Sequence, residues 1–263
     1  MSFLNQIIPN IWRIQTELTT FGKKNNITAM PNPYFSFKQF TVYHDRCAMK
    51  VGTDGVLLGA WTDVSGARDI LDIGTGTGLI ALMLAQRSEA HIMAVDIDED
   101  AVKQAKENVE KSPWPGRIEV ERHDICCFNS DIRYDVIVSN PPYFFNSLKC
   151  PDGQRNIARH TVGLDFESLI DSCGRLLSPS GRFSVIIPTD GMDEFMRIAS
   201  EGGLCLSRRT WIKTKPDAAP KRVLMEFKKQ PAVSVESCLV VELSRHIYSE
   251  EYIALTKDFY LKM

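Results

Sequence analysis

The stretch from Asp69 to Gln86 constrains the chain more than any other. Asp69-Ile70-Leu71-Asp72-Ile73 is a short apolar run of strand type, Gly74-Thr75-Gly76-Thr77-Gly78 follows at once, and Leu79 to Gln86 is rich in Ala, Leu and Met, as a helix would be. Glycines at a strand-to-helix turn let the backbone approach a ligand closely. The spacing is G-x-G-x-G, not the G-x-G-x-x-G of a pyrophosphate-binding turn, so no dinucleotide is implied. The alternation continues downstream. It predicts strands over 91–96, 118–124, 134–139 and 182–187, and helices over 99–111, 165–177 and 190–200. Such alternation implies a mostly parallel sheet covered on both faces. Residues 204–214 and 222–228 read as two more strands. The loop between them, with Pro216 and Pro220, is too short for a crossover helix, so the two should pair antiparallel.

A chain of 263 residues can build one large α/β domain with a short appendage. Residues 1–33 carry little pattern and end in the turn-forming Met30-Pro31-Asn32-Pro33. They are expected to be an N-terminal extension, disordered or upstream of the natural start, with a short docking helix around Ile7–Leu18 as the alternative. Residues 34–263 are expected to form the folded domain. No run of about 18 apolar residues exists, so no membrane span is expected. The mixed N-terminus does not resemble a secretory signal, and the cytoplasm is the default. The seven cysteines form no C-x-x-C pair and have no His at metal spacing, which predicts free thiols and no metal. The oligomeric state is left open, a monomer being the default.

Acidic residues qualify the glycine loop. Asp72 precedes Gly74 by two positions, where a cationic ligand would want a carboxylate. Asp96 ends the next strand, about 20 residues past the glycines, where an acid can hold two ribose hydroxyls. Asp124 is placed at the end of the third strand and could accept from an adenine amino group, with the Ile125 amide on a ring nitrogen. Open α/β sheets bind ligands at the carboxyl ends of their strands. Three acids there beside a glycine loop point to S-adenosylmethionine, which carries an ammonium and a sulfonium and leaves as S-adenosylhomocysteine. The candidate cofactor set from these motifs is Asp72, Gly74, Thr75, Gly76, Gly78, Asp96, Ile97, Asp124, Ile125 and Asn140. Asp98 and Glu99 read instead as charges that complement a helix N-terminus.

Asn140-Pro141-Pro142-Tyr143, directly after the fourth strand, is the most specific motif. Its prolines stiffen the backbone and restrict the residues before them, which fixes Asn140 and the Pro141 carbonyl as a pair of acceptors. An adenine amino nitrogen is a poor nucleophile because its lone pair is delocalised. Accepting both of its N–H protons localises that pair and aims it at a methyl donor, which is stabilisation by preorganised dipoles. Tyr143 would stack on the base. Asn140, Pro141, Pro142 and Tyr143 are therefore the candidate catalytic residues.

The predicted architecture resembles the Rossmann-like methyltransferase fold: a doubly wound, mostly parallel seven-stranded α/β sheet with one antiparallel strand near the C-terminus. From about Phe35 onward the chain resembles the bacterial tRNA methyltransferases that form N6-methyladenine at position 37 of a valine tRNA. The resemblance rests on Phe37-Lys38-Gln39-Phe40, on His44 to Trp61, on Gln154-Arg155 through Ala158-Arg159-His160, and on Tyr248 to Thr256 with Phe259-Tyr260. It implies that Lys50 to Asp54 packs over the methionine end of the cofactor, with Thr53 as a polar contact.

A net charge of −2 argues against nucleic-acid binding by the whole surface. The two C-terminal strands are nevertheless basic: Arg208, Arg209, Lys213, Lys215, Lys221, Arg222, Lys228 and Lys229 stand against Asp217 and Glu226. Lys213, Lys215, Lys221 and Arg222, with Arg155 and Arg159 beside the tetrapeptide, are the candidate RNA contacts. An unstacked loop base suits the pocket, since a base inside a duplex could not reach the methyl. The tetrapeptide also serves a protein glutamine amide or an rRNA guanine amino group, and both remain alternatives. A nicotinamide-dependent oxidoreductase fits the glycine spacing poorly. A non-catalytic binding module would have no use for an intact Asn140, Pro141 and Tyr143.

Overall fold

The computed structural model describes residues 32–47, 50–142 and 164–262. The expectations for residues 1–31, for Tyr143, and for Arg155 and Arg159 lie outside the described residues. The sheet and its helices belong to one compact unit, Pro33–Met263.

A small antiparallel pair, β1 (Tyr34–Ser36) and β2 (Thr41–Tyr43), precedes helix α1 (Thr53–Trp61). Then follow β3 (Asp69–Ile73), α2 (Leu79–Arg87), β4 (His91–Asp96), α3 (Glu99–Glu110), β5 (Ile118–Arg122) and β6 (Tyr134–Ser139). After them come α4 (Phe166–Leu176), β7 (Leu177–Pro188), α5 (Met192–Glu201), β8 (Cys205–Lys213), β9 (Arg222–Lys228) and β10 (Val235–Val240). A hairpin of β11 (Glu242–Ser244) and β12 (Ile247–Tyr248) leads into α6 (Glu250–Thr256).

Among the described residues the main sheet has eight strands in the order β10-β8-β9-β7-β6-β3-β4-β5. The strands from β5 to β7 are parallel, and β9 alone runs against its neighbours β7 and β8. The predicted antiparallel pairing of residues 204–214 with 222–228 is therefore present. Beyond the seven expected strands, β10 adds an eighth, parallel to β8.

Side-chain alternation along each strand feeds two cores. Ile70, Ala94, Val136, Val138, Ile186 and Leu224 point to the face covered by α1, α2 and α3. Leu71, Ile73, Val95, Ile137, Phe183 and Phe227 point to the face covered by α4 and α5. A sheet buried on both faces leaves only its strand ends for chemistry. The chain runs β3-β4-β5 to one side and then crosses back to place β6 on the other side of β3. That reversal falls between β3 and β6, and the carboxyl ends of the strands at such a point are where ligands bind sheets of this kind.

Three sequence readings are adjusted. Helix α1 was not expected. Gly55 to Trp61 are all buried, so the segment shows no amphipathic period by which to recognise it. Strand β7 begins at Leu177, not at 182: Ser178-Pro179-Ser180-Gly181 runs as an irregular stretch of strand rather than a break. Gly181 makes this possible, because a Cβ there would stand 2.9 Å from the Tyr134 carbonyl oxygen. Strand β5 stops at Arg122, two residues short of Asp124.

Candidate active site

Strand register sets the edge of the site. Ile73 pairs with Val95 on one side and with Ser139 on the other. One step further along each strand, Gly74, Asp96 and Asn140 emerge on the same edge, neighbouring strands being about 4.8 Å apart. The Ser139 hydroxyl, fully buried, donates to the Ile73 carbonyl at 3.0 Å and ties the two strand ends at the reversal point together.

The glycine loop turns back over β3. Gly74 and Thr75 donate backbone N–H groups to the Val95 carbonyl at 2.9 and 3.1 Å. Gly74, Gly76 and Gly78 all have positive φ, 70°, 56° and 80°, a region that penalises a Cβ. Gly78 also begins α2 against α3, where a Cβ would lie 3.4 Å from that of Ala105.

Asp72 lies beneath this loop with no exposed surface. Its Oδ2 accepts from the Thr75 hydroxyl at 2.7 Å and from the Ala81 amide at 3.2 Å, bracing the loop and the start of α2. Its Oδ1 is buried without a hydrogen-bond partner. Burial first, and then the charge of Asp96, push its pKa up to about 7. An orphaned carboxylate oxygen at that depth suits a site that receives a positive charge.

Asp96 is partly exposed and also holds the loop, its Oδ2 accepting from the Gly76 amide at 2.8 Å and its Oδ1 from the Asp98 amide at 3.0 Å. The aliphatic side chain of Ile97 beside it is 63% exposed. Asp98 caps α3, accepting from the Asp100 amide at 2.8 Å, and Glu99 pairs with Lys103, as their helix-terminal reading required. Asp124 sits past β5 in a turn rather than at a strand end. Its Oδ1 accepts from the Cys126 amide at 3.0 Å, and this local bond competes with continued strand pairing. The Asp124 side chain is exposed, whereas Ile125 is buried in the core on the α4 side.

Of the tetrapeptide, Asn140 is half-buried, Pro141 buried and Pro142 exposed, all at the end of β6. Thr53 is exposed in the first turn of α1. The next residue, Asp54, accepts from Arg222 Nε at 2.7 Å, which brings the N-terminus of α1 to the edge where β9 starts.

The basic strands divide into two groups. Arg208 stacks 3.6 Å over the Trp61 ring and pairs with the buried Glu226, Lys228 approaches the same carboxylate at 3.9 Å, and Arg209 pairs with Glu236. These cations serve the sheet. The β8–β9 loop differs, because it lies at the carboxyl edge, with Pro188 of β7 paired to Arg222. Lys215 and Lys221 are exposed there, Lys213 Nζ donates to the Pro216 carbonyl at 3.1 Å, and Arg222 is engaged by Asp54.

Sequence reasoning missed Ser139 and two residues of α3, Gln104 and Asn108, which carry polar side chains with no exposed surface. The available signal was two amides one helical turn apart among Ala101, Ala105 and Val109. Among the described residues no group of three or more His, Cys, Asp or Glu could hold a metal ion, and no helix is long and apolar enough to cross a membrane. The six described cysteines are free thiols.

A glycine loop, strand-end acids and an Asn-Pro-Pro segment at the reversal point of this sheet define a methyltransferase of the doubly wound class. Residues 50–190 match the family model of the methyltransferase small domain. The chain is 67% identical over 238 residues to the tRNA1(Val) (adenine(37)-N6)-methyltransferase of Phocaeicola vulgatus, a match spanning 89% of this chain and 100% of that protein. It is 56% identical over 237 residues to the protein of the same name from Bacteroides fragilis, again across 100% of that protein. Among solved structures, a predicted O-methyltransferase from Agrobacterium tumefaciens shares the fold, with a TM-score of 0.62 and 20% identity over 78% of this chain and 96% of that one. The chain belongs to the tRNA1(Val) (adenine(37)-N6)-methyltransferase family.

Proposed function

We propose that this chain transfers a methyl group from S-adenosylmethionine to N6 of an adenine in tRNA, adenine 37 of tRNA(Val) being the expected target. The observation that carries the reading is the register that sets Asn140 beside Gly74 at the β3–β6 reversal, with Ser139 locking the two strand ends. The family relationship supports the choice of base and of RNA.

The bound cofactor supplies an electrophilic methyl on a sulfonium. The chain's own residues do the rest. The Gly74–Gly78 loop and Thr53 border the methionine end, and the orphaned Asp72 Oδ1 lends negative potential beneath it. Asp96 retains lone pairs for the ribose hydroxyls, and exposed Ile97 offers an apolar surface to the adenine ring. Asp124, exposed, can accept from the adenine amino group, next to the Ile125 amide. On the substrate side, the Asn140 side-chain oxygen and the Pro141 carbonyl accept hydrogen bonds from the two N6 N–H groups, and Tyr143 stacks on the base. With S-adenosylmethionine bound, the methyl would pass from sulfur to N6, S-adenosylhomocysteine would leave, and one N6 proton would pass to solvent. Lys213 at the end of β8, Lys215 and Lys221 on the β8–β9 loop, and Arg155 and Arg159 would contact the phosphates. In this reading Arg222 acts on RNA through its pair with Asp54, by fixing the start of β9. Residues 34–263 carry the activity in the cytoplasm and 1–33 are dispensable, so a chain begun at Met30 should retain full turnover.

The test is methyl transfer from labelled S-adenosylmethionine to unmodified bulk tRNA, followed by nucleoside analysis. Label in N6-methyladenosine is expected. Cofactor binding with no label in RNA would overturn the substrate and redirect the search to a protein glutamine or an rRNA guanine.

A further inference from the structure

Helix α3 with its C-cap residue carries Gln104, Glu107, Asn108 and Lys111 at i, i+3, i+4 and i+7, the spacing that gathers side chains on one helix face. This face is polar, yet Gln104 and Asn108 are fully buried. What covers them is the backbone of residues 43–46. Asn108 Oδ1 accepts from the Tyr43 amide at 2.9 Å, while Asn108 Nδ2 donates to the Tyr43 carbonyl at 2.8 Å and to the Thr77 carbonyl at 2.9 Å. Gln104 Oε1 accepts from the Arg46 amide at 3.3 Å. At the exposed rim Arg46 meets Glu107 at 2.6 Å, and Lys111 Nζ stands 4.3 Å above the Tyr43 ring. The strap therefore runs back along α3 towards its N-terminus. It continues to Cys47, whose thiol is pushed up by burial and then by the charges of Asp96, Asp98, Asp45 and Asp100.

We propose that Asn108 is a positioning residue for the cofactor: one buried amide fastens both the 43–47 strap and the glycine loop, so that the two hold their binding arrangement together. Thr77 is the loop residue just before Gly78, so the bond to its carbonyl fixes the turn that leads from the glycine loop into α2. An asparagine side chain matches a peptide unit, offering an acceptor and two donors where the Tyr43 backbone and Thr77 require them. Aspartate keeps the acceptor but sets a carboxylate against two carbonyls. Alanine leaves one N–H and two carbonyls buried without partners, a costly outcome for backbone groups. The proposal rests on the reading that this loop and Asp96 hold S-adenosylmethionine.

The experiment titrates S-adenosylmethionine calorimetrically into the full-length protein and its Asn108→Ala and Asn108→Asp variants, with hydrogen exchange and steady-state kinetics alongside. Gln104→Leu, which removes the second strap anchor at similar volume, carries the test if the Asn108 variants do not fold. The cofactor Kd is expected to rise about tenfold in the Asn108 variants, and less in Gln104→Leu. At saturating cofactor, kcat and the KM for tRNA should stay within about twofold of the unaltered protein. Amides 43–47 and 74–78 should exchange faster while those of β6, β7 and β9 do not. Unchanged cofactor affinity in folded variants, or faster exchange across the whole sheet with kcat falling in step, would overturn the positioning role. Failure of the unaltered protein to bind S-adenosylmethionine would overturn the cofactor reading itself.

Discussion

On the β3–β4 side of the reversal point, the groups proposed to hold the cofactor are already braced. Asp72 is bonded to Thr75 and Ala81, Asp96 to Gly76 and Asp98, and the loop behind them to Asn108. On the β7–β9–β8 side, the cations proposed to meet RNA sit on a connecting loop, where Lys215 and Lys221 stand in solvent. The contrast follows from the two ligands. A small cofactor with charges at fixed distances rewards acceptors held in place before it arrives, because their ordering is completed during folding. A phosphate backbone attracts cations through a field that tolerates imprecise placement and weakens with salt.

This contrast can be broken or sharpened by substitution. The largest effect should come from the reversal point itself. Asn140→Ala is expected to lower kcat by about two to three orders of magnitude while leaving the cofactor Kd nearly unchanged, as loss of a preorganised hydrogen-bonding group does. Single-turnover rates and calorimetry read the two quantities separately, and near-normal turnover would remove Asn140 from the chemistry.

Asp96→Ala should act on the cofactor side alone. It removes a ribose acceptor and also the partner of the Gly76 amide, so the cofactor Kd should rise by about ten- to a hundredfold. Equal binding by variant and parent would mean that the ribose lies elsewhere.

Asp72 adds a pH dependence whose sign is set by its raised pKa. The free protein carries Asp72 neutral below about pH 7, and a cationic ligand favours its ionised form. Cofactor affinity should therefore be flat above about pH 7 and fall as pH drops below it, by at most about tenfold per unit, with a proton released on binding. The stability of the ligand-free fold runs the other way. Because the folded-state pKa exceeds the unfolded one, the Asp72 contribution worsens as pH rises from the ordinary carboxylate range to about 7. Asp72→Asn should flatten both curves. A cofactor Kd in the parent that is independent of pH from 5.5 to 8 (about the range a raised carboxylate would span) would discard this coupling.

The smallest effect is expected on the RNA side. Lys215→Ala and Lys221→Ala should each raise the KM for tRNA a few-fold and flatten the slope of log affinity against log salt by roughly one unit, with cofactor binding untouched. An unaltered salt slope would take the β8–β9 loop out of the interface.

Much of the cofactor side was readable from residue order. A glycine loop after Asp69–Ile73 and an acid at the end of the next strand are local patterns, and local sterics enforce them wherever they occur. Asp124 was misplaced by two residues because its side chain bonds the backbone of Cys126 and ends the strand early. Arg208 and Arg209 count towards the basic character of the two C-terminal strands because charge is read along a chain, while the partners Glu226 and Glu236 are brought beside them only by strand pairing.

By itself, the sequence determined the alternation of strands and helices, the glycine turn, the antiparallel closure through β9 and the stiff Asn-Pro-Pro segment, since each depends on backbone preferences and side-chain period within a short window. Tertiary structure alone decided that Ile73, Val95 and Ser139 stand in register, that the buried run Gly55–Trp61 is helical, and that Asn108 grips two segments 34 residues apart in sequence, Tyr43 and Thr77. The physical reason is that register, burial without periodicity and a shared hydrogen-bonding amide are relations between distant segments, and they acquire a value only when packing brings those segments together.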